Sequence, residues 1–154
     1  MVKQAKDLVT KYLAEAKVLQ LATVGEKGQP WISNVHFVSG KDGNIYWLST
    51  ESRRHSVEIV ANKNVAVSVV VKSDMPVIGI QAEGVAEKVS DIATIGRIMP
   101  IYVKKHGTGK EFYKRALAGM NDHKLYVMKP RFYSLFDEVN FPKSAPQIWT
   151  ITEK

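Results

Sequence analysis

The spacing of apolar and polar residues changes several times along the chain. From residue 2 to residue 16, Val2, Ala5, Leu8, Val9, Tyr12, Leu13 and Ala16 recur at intervals of three and four, with lysines between them. That spacing predicts an amphipathic helix. Residues 18–24 form a short apolar run that reads as a buried strand, and Gly25-Glu26-Lys27-Gly28 supplies a turn. Residues 31–38 and 45–49 read as two more strands, joined by a turn over 39–44. Connections this short join antiparallel neighbours, so the first three strands are expected to form a meander.

A short helix is expected over 52–61, then a strand rich in β-branched residues over 65–71. Residues 77–89 are long for one strand, and Gly79 and Gly84 inside them suggest bends or bulges at a barrel corner. Helical segments are expected over 91–105 and 110–120, separated by His106-Gly107-Thr108-Gly109. Two strands, 125–128 and 131–136, flank Pro130, and the tail 147–151 is expected to pair at a sheet edge. Five to seven antiparallel strands with a few flanking helices predict a mainly β, α+β fold, a small barrel occupying residues 1–154 as one domain.

Composition narrows the chemistry. The 154 residues suffice for one sizeable core, and the absence of cysteine excludes disulfides and thiolate metal sites. No apolar run reaches the length of a membrane span, and the charged first segment lacks a signal-peptide core, so the expected location is cytoplasmic. The net charge is +7, but its densest groups, Arg53-Arg54-His55 and Lys104-Lys105-His106, are too short for a nucleic-acid stripe. A solvated surface with one or two local anion sites is the expectation, with no membrane or nucleic-acid partner.

The informative stretch runs from Trp47 through Ser49-Thr50-Glu51-Ser52-Arg53-Arg54-His55 to Asn62. A strand ends, a polar turn follows, and a helix opens with cations that oppose the positive end of its dipole, at a cost of ~0.3–1 kcal/mol each. An anion bound at the free N–H groups would offset that cost, with Ser49, Thr50 and Ser52 as added donors. The alternative is that Ser52 caps the helix while the arginines face solvent or pair with Glu51 and Glu58. The residues alone leave both readings open.

Ala22-Thr23-Val24 with Gly28-Gln29-Pro30, the strand and turn ending at Arg53-Arg54-His55, and Asn62 with Val65 follow one another without a gap. Together with Gly84-Val85-Ala86-Glu87-Lys88-Val89 they resemble the flavin-binding half of the pyridoxamine 5'-phosphate oxidase family over about residues 18–90. The shorter, general-stress-protein-like members are the nearer comparison. The resemblance implies a split β-barrel homodimer that binds flavin mononucleotide (FMN) at its interface. It places Arg54 and His55 on the family's Arg-Lys phosphate pair and Arg53 on a Ser. Leu48 and Ser49 fall on a Tyr-Thr pair that contacts the cofactor, and Ser33, Asn34 and Val35 on the strand beside the flavin ring. His55 replaces a lysine and Ser33 an arginine, which lowers the charge available to a phosphate. The oxidase's Ser-Arg-Pro and Arg-Leu-x-x-Arg segments are missing, so pyridoxamine phosphate is not the expected substrate. The implied function is a flavin-dependent oxidoreductase of unknown substrate, or a non-catalytic module that binds or senses flavin, haem or deazaflavin.

Other residues add less. Gln81, between the two glycines, could meet the flavin ring or face water. His36 is read as a structural histidine, because no second metal ligand sits at a useful spacing. His106 and His123 are expected in solvated loops. Trp31, Trp47 and Trp149 could line a ring-binding cleft or pack in the core.

Overall fold

The computed structural model describes residues 2–107, 110–120 and 122–151. Among these, the order is α1 (Val2–Glu15), β1 (Val18–Val24), β2 (Pro30–Ser39), β3 (Ile45–Thr50), α2 (Arg54–Ala61), β4 (Asn64–Lys72) and β5 (Ile78–Lys88). There follow α3 (Ile92–His106), α4 (Lys110–Leu117), β6 (His123–Asp137) and β7 (Gln147–Thr150). Hydrogen bonding joins the strands in the order β3-β2-β1-β4-β5-β6-β7, and β6 also pairs with β3. That last pairing closes a six-stranded antiparallel barrel, a split barrel as expected. The first three strands form the predicted meander. The tail pairs with β6 from Phe132↔Thr150 to Leu135↔Gln147.

Alternation builds the interior. Leu19 and Leu21 of β1, Phe37 of β2, Ile80 of β5, and Met128, Tyr133 and Leu135 of β6 point inward and are buried. Strand β3 is buried on both faces. Ile45 and Trp47 enter the barrel, while Tyr46 joins Val38, Ile98, Tyr102, Leu125 and Val127 in a second cluster beside α3. Burying each large apolar side chain contributes ~1.5–3 kcal/mol. Helix α3 shows the start and stop signals expected of its sequence. The Asp91 carboxylate accepts from the Thr94 N–H at 2.9 Å, and Gly107 takes the left-handed cap conformation at φ 67°. Of the predicted break after His106, Thr108 and Gly109 lie outside the described residues.

Three expectations are corrected. The two strands around Pro130 are one strand, β6. Proline is tolerated there because the register with β5 shifts at that point: Glu83 pairs with Phe132 and Gly84 with Pro130. A Cβ on Gly84 would overlap the Lys129 carbonyl oxygen, so the crossing requires glycine. Helix α2 begins at Arg54 rather than Ser52, and the capping position is Arg53, without a side-chain cap. A turn intervenes, closed by the Arg53 N–H on the Thr50 carbonyl at 3.2 Å. Finally, His106 is no loop residue. It ends α3, half-buried, bonded through Nε2 to the Phe37 carbonyl at 2.8 Å and packed against Tyr102. His123 opens β6 opposite Thr50, with its ring 6.0 Å from that of Phe112.

Candidate functional site

Strand β3 touches β2 through only three residue pairs, Phe37↔Trp47 to Ser39↔Ile45. Beyond them it leaves β2 and continues on β6, through Leu48↔Leu125, Ser49↔Lys124 and Thr50↔His123. Among the described residues, the earlier part of β2, from Pro30 to His36, therefore pairs with β1 on one side and with no strand on the other. This split opens a cleft of about 560 Å³, within the range of small-molecule sites, roughly 300–1,000 Å³.

Eight of the nine residues singled out from the sequence line this cleft: Ser33, Asn34, Val35, Leu48, Ser49, Arg53, Arg54 and His55. The ninth, Gln81, does not. It is exposed on β5, between Ser68 and Ser134 on the neighbouring strands. Of the three tryptophans only Trp31 reaches the cleft. Trp47 is fully buried in the barrel, stacked on Tyr126, and Trp149 stacks on Tyr133.

His55 sits at the centre, buried, with Nε2 2.7 Å from Ser49 Oγ and Nδ1 3.2 Å from Ser33 Oγ. Burial pushes its pKa below the usual value; nearby Arg53 adds to this and Glu58 opposes it. The imidazole is therefore neutral at pH 7, with one donor and one acceptor nitrogen. Hydroxyls can serve either, so both tautomers satisfy the arrangement. His55, Ser33 and Ser49 thus make a neutral, hydroxyl-lined floor.

Arg54 is engaged elsewhere. Its Nε donates to Glu58 Oε1 at 2.8 Å, one helical turn on, and its guanidinium lies 4.0 Å over the Trp31 ring. Glu58 is buried, and its second oxygen accepts the Thr23 hydroxyl from β1. The Thr23 and Arg54 hydrogen bonds hold its carboxyl below the usual range. The sequence reading named Glu58 as a possible arginine partner but did not foresee Thr23.

Thr50 on β3, expected as a donor, also lines the cleft, whereas His36 on β2, Tyr102 on α3, Phe112 on α4 and His123 on β6 were not anticipated there. His36 does lie on the face opposite Val35 and Phe37, as its position predicts. It is exposed, and its ring is 5.0 Å from that of His106. Among the described residues no group of three His, Cys, Asp or Glu side chains could hold a metal ion, and no helix is long and apolar enough to cross a membrane.

The arrangement suits a ligand with an anionic end and a flat ring. Hydroxyls, arginines and the uncapped first turn of α2 line the cleft together with the rings of Trp31, Tyr102 and Phe112. The free edge of β2 offers backbone groups alongside.

Solved structures with this fold are diverse. A heme binding protein from Mycobacterium smegmatis shares 16% identity at a TM-score of 0.76, over 95% of this chain and 57% of that one. The heme storage protein HutZ from Vibrio cholerae shares 22% at 0.63, over 86% and 94%. General Stress Protein 26 from Bacillus anthracis shares 17% at 0.68, over 94% and 97%. No curated protein matches the chain. Residues 5–131 match the sequence profile of the family described as Pyridoxamine 5'-phosphate oxidase, and the chain belongs to that family.

Proposed function

We propose that the cleft at the β2–β3 split binds FMN and that the protein is a cytoplasmic flavin-dependent oxidoreductase working as a homodimer. The observation that carries this reading is that Ser33, Ser49, Arg53, Arg54 and His55 line one cleft together with the rings of Trp31, Tyr102 and Phe112. Bound there, the flavin would supply the redox chemistry. The chain's own part is binding and orientation. Whichever of Ser33 and Ser49 accepts from the His55 N–H keeps its own O–H for the phosphate, the arginines offer charge, and Trp31 offers a ring face. The β2 edge from Ser33 to Val35 offers backbone groups to the polar rim of the ring.

The dimer reading is supported by an apolar surface beside the cleft. Ile32 is 64% exposed, Val57 56% and Val60 84%, and the two valines line a second hollow with Gly25, Gln29 and Ala61. A second copy of the chain covering this surface would remove it from water. Sedimentation would then return twice the 17.3 kDa chain mass.

Haem is the second reading, and one feature favours it: the imidazoles of His36 and His123 line the same cleft. The visible spectrum of the purified protein, followed by titration with FMN and with haemin, separates the two. The flavin reading expects saturable binding of FMN with flavin absorption and no shifted haem band. Tight haemin binding with no affinity for FMN would replace it with the haem reading.

A further inference from the structure

Building on the FMN reading, we propose that Arg53, rather than Arg54, supplies the charge that holds the ligand phosphate, with one neutral donor beside it, whichever of Ser33 and Ser49 accepts from the His55 N–H and so keeps its own O–H. The charge of Arg54 is already met: its Nε is paired with the Glu58 carboxylate at 2.8 Å and its guanidinium lies over Trp31. Its Nη groups stay open, but the carboxylate beside them offsets the charge they would bring to a phosphate. The chain Thr23–Glu58–Arg54–Trp31 is better described as a braced wall of the cleft.

Arg53, one residue earlier, is in the opposite situation. It is exposed, lines the same cleft and occupies the capping position of α2. Among the described residues its guanidinium makes no hydrogen bond or ion pair. Its planar fork is thus free to meet phosphate oxygens in pairs. It lies near enough to His55 for its charge to disfavour the protonated ring, and both residues line the cleft. No side chain caps the first turn of α2, which leaves its N–H groups without a side-chain partner, and its first residues Arg54 and His55 also line the cleft. The cation that meets the phosphate is thereby moved one residue along from the family pattern. His55 does not carry charge to the ligand. Its two ring nitrogens fix Ser33 on β2 and Ser49 on β3 across the split.

The experiment compares FMN with riboflavin, which has the same ring and no phosphate, on wild type, Arg53→Gln, Arg53→Lys and Arg54→Gln. Wild type is expected to prefer FMN. Arg53→Gln should reduce that preference roughly tenfold or more, the effect of losing a charged hydrogen bond. Arg53→Lys should restore part of it, and Arg54→Gln should weaken both flavins alike through the lost wall. The proposal is overturned if Arg53→Gln keeps the full preference and Arg54→Gln removes it. A wild type that binds both flavins equally, or neither, would instead remove the phosphate reading itself, and this assignment with it.

Discussion

The seam between β5 and β6 and the split between β2 and β3 are built from the same kind of strand, yet they behave as opposites. The seam runs through eleven residue pairs, from Ile78↔Asp137 to Lys88↔Tyr126, and absorbs a proline and a register shift without opening. The split keeps three pairs and then parts. In the seam nearly every backbone group is spent on its neighbour, and side chains serve packing. At the split the backbone of β2 is released, and the polar groups of β2, β3 and the start of α2 turn toward the same space. The barrel holds itself together on one side so that it can remain open on the other.

Three substitutions test that division. The largest effect is expected at Trp47, where β3 is still paired with Phe37 of β2 and with Tyr126 of β6. Trp47→Ala removes a fully buried side chain and should cost ~3–5 kcal/mol in urea unfolding, disturbing seam and split together. Gly84→Ala should act on the seam alone. The new methyl meets the Lys129–Pro130 backbone, which cannot swing aside, and a cost of ~1–3 kcal/mol is expected. Ligand affinity of the folded variant should stay at the wild-type level. If affinity fell as far as stability, the two regions would not be separable.

The smallest effect concerns His55 in the split. Its folded pKa is lowered, chiefly by burial. Above the unfolded value of about 6.5 the ring is neutral in both states and stability is complete. As pH falls through that value, the unfolded chain takes up a proton that the folded chain resists, so stability drops until the folded pKa is reached. Thermal melts at pH 7.5 and pH 5.5 should therefore show a larger loss for wild type than for His55→Gln. Equal losses would mean that the imidazole is not held neutral.

Much of this was legible before any coordinates. The helical spacing of Val9, Tyr12 and Leu13, the apolar run of β1 and the β-branched run of β4 are local signals, which burial in the fold preserves. The turn from Ser49 to His55 could be read because it breaks a local rule at a helix start. Pro130 misled because proline ordinarily ends an internal strand, and only the β5 partner reveals that the register shift accommodates it. The capping position moved from Ser52 to Arg53 through a turn bond to Thr50. His106 was misplaced because its partner, the Phe37 carbonyl, is 69 residues away. The far wall of the cleft, Tyr102 and Phe112, comes from helices whose position against the barrel no local pattern encodes.

The most direct test of the central claim, that the β2–β3 split is the ligand site, is an FMN titration of wild type against Ser33→Trp. The new indole would fill the floor of the cleft from the unpaired edge of β2, away from the seam. The account predicts saturable binding to wild type and loss of binding in the variant, with an unchanged far-ultraviolet circular dichroism spectrum. Equal affinity in the two folded proteins would contradict it.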